Sequence, residues 1–168
     1  SVAESLTGGE ICSQLVSFAG SSHCLKQGVV SYCNEAKMSL LKVQEETIAK
    51  YTEVSLECVA QMAAGVACAN RIIGETDYAI ATSGIAGPAG GTDDKPVGTV
   101  VIAVKAKDKV VCQQLSLSNK RSRNHLRELT VGIAFDMLRR AILGLSPIAD
   151  YSYIKRVDDK AYTMSELR

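Results

Sequence analysis

A chain of 168 residues is the usual size of one domain, and its 46% hydrophobic content is enough to bury a single core. With 19 basic and 18 acidic residues the formal net charge is +1, so we expect neither nucleic acid nor an anionic membrane as a partner. No apolar run reaches the roughly 20 residues of a membrane helix, and no signal sequence opens the chain. These features predict a cytoplasmic protein.

The first half of the chain predicts short elements. Residues 1–4 have the character of the end of a strand, and apolar spacing predicts a helix over residues 7–19. Residues 27–33 predict a short strand. Asn34 can then cap a short helix that runs to Leu41, and residues 44–50 favour another.

The middle of the chain predicts one long helix, a strand and a loop. Residues 55–73 favour the helix, because Ser55 can cap it and small apolar residues follow on one face. Residues 77–82 are typical of a buried strand. The next segment, 83–98, holds five glycines and two prolines and predicts a long loop, which in a compact domain is usually functional.

The last predicted elements are a hairpin and a helix. Residues 97–105 and 109–117 are rich in β-formers and predict an antiparallel pair, and residues 123–143 favour a helix. The order predicts an α/β fold: a three-layer α/β/α sandwich whose mixed, mostly parallel sheet contains an antiparallel hairpin. We expect one domain over residues 1–145 and a tail over residues 146–168 that packs on the domain or on a partner.

The six cysteines form no C-x-x-C pair, which argues against a zinc site or a redox motif. Most have apolar neighbours, so we expect buried free thiols. Two histidines, neither next to a serine or cysteine in a known nucleophile motif, give little support to a Ser-His-Asp hydrolase. No metal and no cofactor are predicted. The cysteines are Cys12, Cys24, Cys33, Cys58, Cys68 and Cys112.

Two clusters of polar residues follow predicted strands, where ligands bind in open α/β sheets. Residues 4–9 form a strand-to-helix junction whose free N–H groups could hold a phosphate or an oxyanion, although an ordinary helix cap explains the same residues. In residues 32–37, Lys37 would lie near the positive end of a helix, which could lower its pKa and make it a base. A solvated surface lysine is the alternative.

Two further clusters lie later in the chain. Residues 83–92 contain glycines that allow close backbone approach to a ligand, and we favour a binding loop over a structural turn. The basic segment Lys120-Arg121-Ser122-Arg123, together with Arg127, could clamp a phosphate. A solvated helix start explains them equally well.

Six ordered motifs resemble a known family. They are Ala3-Glu4-Ser5-x-Thr7-Gly8-Gly9, Gly20-Ser21-Ser22, Gly28-Val29-Val30-x-Tyr32-x-Asn34-Glu35-x-Lys37, Val54-Ser55, Ser83-Gly84-Ile85-Ala86-Gly87-Pro88-x-Gly90-Gly91 and Lys95-Pro96-Val97-Gly98-Thr99-Val100. The chain is similar over residues 2–143 to the CinA C-terminal domain, also known as nicotinamide-nucleotide amidohydrolase. That family has a three-layer α/β/α fold with a mixed sheet, and no metal is implied.

The resemblance implies an enzyme that hydrolyses the amide of nicotinamide mononucleotide (NMN) to nicotinate mononucleotide and ammonia, in the pyridine nucleotide cycle and NAD salvage. It implies Ser5 as nucleophile, Lys37 as general base and Tyr32 as a supporting group. A Ser-Lys pair works only if burial or a neighbouring cation leaves the amine neutral near pH 7, so we predict a strongly lowered pKa for Lys37. Substrate-binding residues by the same resemblance are Thr7, Gly8, Ser22, Asn34, Ser83, Gly84 and Arg123.

One motif departs from the family. Its usual Gly-Asp-Arg before the last helix is replaced by Arg121-Ser122-Arg123, so either arginine could contact the phosphate. The spacing to Arg127 favours Arg123.

Other functions stay open. A catalytically silent module that binds a nucleotide or a partner is the main alternative, and an amidase acting on another small amide is a third. Ser5 could attack directly or position a water. We expect a homo-oligomer, since symmetric assemblies are common among enzymes.

Overall fold

A computed structural model describes residues 1–68, 72–117 and 120–167. Its six strands form one sheet in the order β2-β1-β3-β4-β5-β6. The strands are β1 (Val2–Glu4), β2 (Gly28–Val30), β3 (Tyr78–Gly84), β4 (Thr99–Ala106), β5 (Lys109–Ser116) and β6 (Lys155–Thr163). The helices are α1 (Glu10–Val16), α2 (Asn34–Leu41), α3 (Glu45–Tyr51), α4 (Leu56–Cys68) and α5 (Arg123–Ile142), with 3-10 turns at Ser21–His23 and Met164–Glu166.

The sheet lies between two helical layers, because side chains alternate between its faces along each strand. Small residues on one face pack against α4, with α2 and α3 beside it. Larger aliphatic residues on the other face pack against α5 and α1. The three-layer α/β/α prediction is confirmed. The face toward α4 carries Ala3, Ala79, Ala81, Val101 and Ala103, and the opposite face carries Val2, Ile80, Val100, Ile102 and Val104.

The sheet is mixed, but the predicted parallel majority is wrong. β1 pairs parallel with β2 and with β3, whereas β3–β4, β4–β5 and β5–β6 are antiparallel. The loop after β3 returns the chain directly beside that strand, so Thr82 pairs with Ile102 without a crossover helix. The predicted hairpin of β4 and β5 is confirmed.

The strand β6 was not predicted. The tail packs on the domain, one of its two expected positions, by adding this strand to the edge of the sheet beside β5. Its residues are mostly exposed and charged, a composition suited to an edge strand and unlike the apolar alternation by which strands are recognised.

Several predicted boundaries move. The first helix is shorter than residues 7–19, since Gly8 and Gly9 have positive φ and α1 begins only at Glu10. Asn34 does not cap α2; it is the first helical residue, after Cys33. Ser55 does cap α4, because its Oγ accepts from the N–H of Cys58 at 3.1 Å.

The long helix prediction over residues 55–73 is confirmed only as far as Cys68, since residues 69–71 lie outside the described residues and 72–73 form a turn. The expectation of mostly buried thiols is also wrong. Only Cys58 and Cys112 are buried, and the other four are exposed or half-buried.

The helix α2 is held close against α4 by a glycine. A Cβ at Gly65 would lie 1.8 Å from the carbonyl oxygen of Leu41, so this approach excludes every larger residue. The contact fixes the position of α2, which carries Lys37. No helix in the described ranges is long and apolar enough to cross a membrane.

Candidate active site

Ser5 lies immediately after β1, at the edge where the parallel strands end. Its N–H donates to the carbonyl of Thr82 on β3 at 3.1 Å, and its side chain is only 8% exposed. The preceding residue, Glu4, is fully buried and its carboxylate accepts the N–H groups of Gly9, Ile11 and Cys12 at 2.9–3.1 Å. Of the two interpretations of residues 4–9, these contacts favour the ordinary helix cap over a phosphate site.

The turn after Ser5 is fixed by Arg127 of α5. The Arg127 guanidinium donates to the carbonyls of Leu6 and Thr7 at 3.1 and 2.8 Å and forms an ion pair with Glu10 at 3.4 Å. Arg127 is thereby engaged with protein groups, in contrast to its expected place in a phosphate clamp.

Thr7 and Gly8 belong to this turn. The Thr7 hydroxyl is buried 2.8 Å from that of Thr82, and the N–H of Gly8 donates to the carbonyl of Ser5 at 3.1 Å. Both residues therefore shape the turn that presents Ser5. Neither residue lines the cavity described below.

Lys37 brings its amine to Ser5. Its side chain is 1% exposed, and Nζ lies 3.0 Å from the carbonyl oxygen of Ser31 and 3.3 Å from Ser5 Oγ. Within the described ranges no carboxylate oxygen lies within 4.0 Å of this amine. The predicted contact between a serine and a lysine 32 positions apart is present.

Burial lowers the pKa of the Lys37 amine from its ordinary value of 10.5, because the charged form loses hydration. The Cys58 thiol, the Glu53 carboxylate and the Cys33 thiol act in the opposite direction. The predicted direction is confirmed, and of the causes considered for it the main one is burial.

A cavity of about 220 Å³ opens beside this pair. Ser5 and Lys37 lie on its wall together with Glu53, an exposed residue just before α4 that the sequence analysis missed. Its position could have been suspected, since it directly precedes the Val54-Ser55 motif. The remaining lining residues are Leu6, Tyr32, Val54, Ser83, Gly84, Ile85, Ala86, Gly87, Ala89, Gly90 and Arg123.

Arg123, the first residue of α5, gives this cavity a positive charge. Its guanidinium donates to the carbonyl of Gly87 at 2.8 Å and to the hydroxyl of Tyr32 at 2.6 Å. Arg121 points elsewhere, since its guanidinium contacts Nε2 of His125. Of the two arginines that the sequence left open, Arg123 is the one on the wall with Ser5.

The glycine-rich loop forms another part of the wall. The hydroxyl of Ser83 donates to the Glu53 carbonyl at 2.8 Å, so it is committed to the protein. A Cβ at Gly84 or Gly87 would lie 2.8 Å from the Thr99 carbonyl or 2.6 Å from the Val97 side chain. These glycines therefore allow the loop to pack on itself, in addition to lining the cavity.

Two predicted binding residues are not brought to the cavity. Ser22 is exposed in the 3-10 turn after α1, and Asn34 is half-buried at the start of α2. Neither is among the residues that line the cavity. Their assignment as substrate-binding residues stays a prediction that rests on the resemblance.

The chain also matches a known family in sequence. The sequence model of the CinA C-terminal domain matches residues 1–142. The chain belongs to the CinA C-terminal domain family.

Curated relatives of this CinA C-terminal domain include CinA-like proteins from Shewanella halifaxensis and Shewanella woodyi. They are 52% identical over 158 residues and 54% identical over 156 residues, which is 94% and 93% of this chain. The chain spans 36% of the length of each.

Solved structures of this fold include the competence/damage inducible protein CihA from Agrobacterium tumefaciens. It is 37% identical with a TM-score of 0.77, and the match covers 84% of this chain and 83% of that one. The competence damage-inducible protein A (ComA) from Klebsiella pneumoniae is 32% identical with a TM-score of 0.76, covering 84% of each chain. The α/β fold of this CinA domain is therefore that of solved family members.

Proposed function

We propose that this CinA domain hydrolyses the carboxamide of NMN, giving nicotinate mononucleotide and ammonia. The observation that carries the proposal is the buried Lys37 amine 3.3 Å from Ser5 Oγ on the wall of a cavity. An amine with a lowered pKa has a lone pair available for the serine proton, so the pair has the form of an activated nucleophile.

The proposed reaction uses Lys37 twice. The Ser5 hydroxyl gives its proton to the Lys37 amine while Oγ attacks the amide carbon, and that proton then passes to the leaving nitrogen, which departs as ammonia. A water molecule next loses a proton to the same amine and attacks the acyl carbon. The carboxylate product leaves, and the Ser5 hydroxyl regains its proton.

Arg123 supports the choice of a phosphorylated substrate. Its guanidinium is fixed by Gly87 and Tyr32 on the same cavity, where it can meet a phosphate with two parallel hydrogen bonds. We therefore propose that NMN is preferred over nicotinamide and nicotinamide riboside, which lack the phosphate. A cytoplasmic, homo-oligomeric enzyme stays part of the proposal.

The test is ammonia release from NMN and from the two amides without phosphate. We expect turnover of NMN by the wild type and a loss on the order of 10²–10⁴-fold in Ser5→Ala. Ser31→Ala is the matched control, because the Ser31 hydroxyl is buried with no hydrogen-bond partner in the described residues and its carbonyl is kept.

Three results would contradict the proposal. Binding of NMN without ammonia release would identify a silent nucleotide-binding module. Faster turnover of an amide without phosphate would identify an amidase with a different substrate. Equal activity of Ser5→Ala and Ser31→Ala would remove Ser5 from the chemistry.

A further inference from the structure

A second cavity of about 350 Å³ lies beside the first, and the proposed reaction does not use it. Its wall combines an apolar part from the glycine-rich loop with a basic part from the start of α5. The lining residues are Ala86, Pro88, Val97, Arg121, Ser122 and Arg123.

The two cavities are neighbours with a shared wall. Ala86 and Arg123 line both of them. The Arg123 guanidinium, fixed by the carbonyl of Gly87, stands between them, so a ligand group bound to it can extend to either side. A ligand group on Arg123 therefore borders both cavities, and Arg121 lies on the wall of the second.

The charge of this shared region is not neutralised by the protein. Within the described ranges no carboxylate oxygen lies within 4.0 Å of Arg121 or Arg123. Arg127, Arg139 and Arg156 each have a carboxylate partner at 3.4 Å or less, whereas Arg140 donates to the Ser146 carbonyl and lines neither cavity. Two unneutralised guanidinium groups at one concave surface favour an anion with more than one charged group.

We propose that the second cavity is a phosphate subsite formed by Arg121. It holds the second phosphate of a pyridine dinucleotide whose first phosphate lies on Arg123, an assignment that rests on the proposed function. The dinucleotide and NMN then share Arg123 and compete for it. Arg121 thus sets which nucleotides the domain binds, without taking part in amide hydrolysis.

The test compares inorganic phosphate with pyrophosphate by titration calorimetry at fixed ionic strength. We expect pyrophosphate to bind the wild type more tightly than phosphate. Arg121→Gln should weaken pyrophosphate binding about tenfold, the effect of one lost charge-assisted hydrogen bond, and leave phosphate unchanged. Arg123→Gln should weaken both probes.

Lys109→Gln is the control for net charge, since Lys109 is exposed at the start of β5 and lines neither cavity. Should Arg121→Gln fail to fold, Arg121→Lys keeps the charge but lacks the planar fork, and we expect it to weaken pyrophosphate binding by a smaller factor. In competition assays, NAD should inhibit NMN turnover, and Arg121→Gln should raise its inhibition constant about tenfold with the KM for NMN unchanged.

Equal binding of phosphate and pyrophosphate by the wild type would overturn the subsite. So would an Arg121→Gln effect no larger than that of Lys109→Gln. The titrations need no turnover and can be repeated with Ser5→Ala. An absence of ammonia release would therefore end the proposed reaction without affecting this result, and ammonia release without a preference for pyrophosphate would end only the subsite.

Discussion

Two lysines of this domain are equally buried and have different surroundings. Lys37 and Lys105 are each 1% exposed. The Lys105 amine, beside the start of β3, lies 3.1 Å from a Glu75 carboxylate oxygen and 2.7 Å from the Thr76 carbonyl oxygen. The Lys37 amine lies beyond the end of β1 and contacts the Ser5 hydroxyl and the Ser31 carbonyl.

Burial by itself therefore does not make a lysine a base. A carboxylate beside a buried amine stabilises its charged form, and such a lysine serves the fold. A hydroxyl and a carbonyl compensate the charge less than a carboxylate in contact does, and burial lowers the pKa of Lys37. Exchanging each lysine for methionine, which keeps the length and removes the charge, tests this distinction.

The largest expected effect is on activity. Lys37→Met should lower kcat for NMN on the order of 10²–10⁴-fold, because no other amine contacts Ser5 among the described residues. Circular dichroism should show a folded protein, since a methionine side chain suits a buried site. A loss of folding equal to that of Lys105→Met would show that the two lysines have the same structural role.

The next effect is on stability. Lys105→Met should lower the free energy of unfolding by about 1–3 kcal/mol, because the Lys105 amine no longer donates to the Thr76 carbonyl or pairs with the Glu75 carboxylate. Glu75 is 40% exposed and can still be hydrated, which limits the loss. Denaturant unfolding measures it, and kcat per folded molecule should stay at the wild-type value. A drop in kcat like that of Lys37→Met would show that Lys105 does not have a purely structural role.

A smaller effect is expected on the pH dependence. Because Lys37 must be neutral, kcat/KM should fall as the pH drops through its pKa, which lies below 10.5. The Glu53 carboxylate raises that pKa, so Glu53→Gln should move the acidic limb to lower pH. Glu46→Gln, on the exposed side of α3, is the control. An unmoved limb in Glu53→Gln would show that Glu53 does not act on the base.

The smallest effect is on stability against pH. Between the folded-state pKa of Lys37 and 10.5, the unfolded chain binds a proton at this amine that the folded chain does not. The folded state therefore loses stability as the pH falls through this window. Lys37→Met should lack this part of the dependence, and unfolding curves at several pH values measure the difference. Parallel curves for the two proteins would contradict a lowered pKa.

Most of the fold was predictable because apolar patterns mark the strands and helices of the core. The small residues of α4 and the β-formers of β4 and β5 are examples, and both elements are present. The antiparallel direction of β4 relative to β3 could not be predicted from sequence, since it depends on where the loop after β3 returns. The strand β6 was not recognised because its sequence is mostly charged and lacks apolar alternation.

The site was predictable in its residue types more than in its surroundings. A resemblance in motifs selected Ser5 and Lys37, but the burial of Lys37 depends on the close packing of α2 and α4 at Gly65. Glu53 was not predicted because it lies 16 positions after Lys37 and belongs to no motif. The role of the Glu4 carboxylate, which accepts three backbone N–H groups, was not predicted.

The charged strand β6 has a consequence for solubility. It covers β5 along its whole length, and its own outer edge carries exposed Lys155, Asp158, Asp159 and Lys160. Charged side chains at a sheet edge oppose the docking of strands from other molecules. A protein shortened to residue 145 would instead leave the backbone of β5 open to intermolecular pairing and would be prone to aggregate.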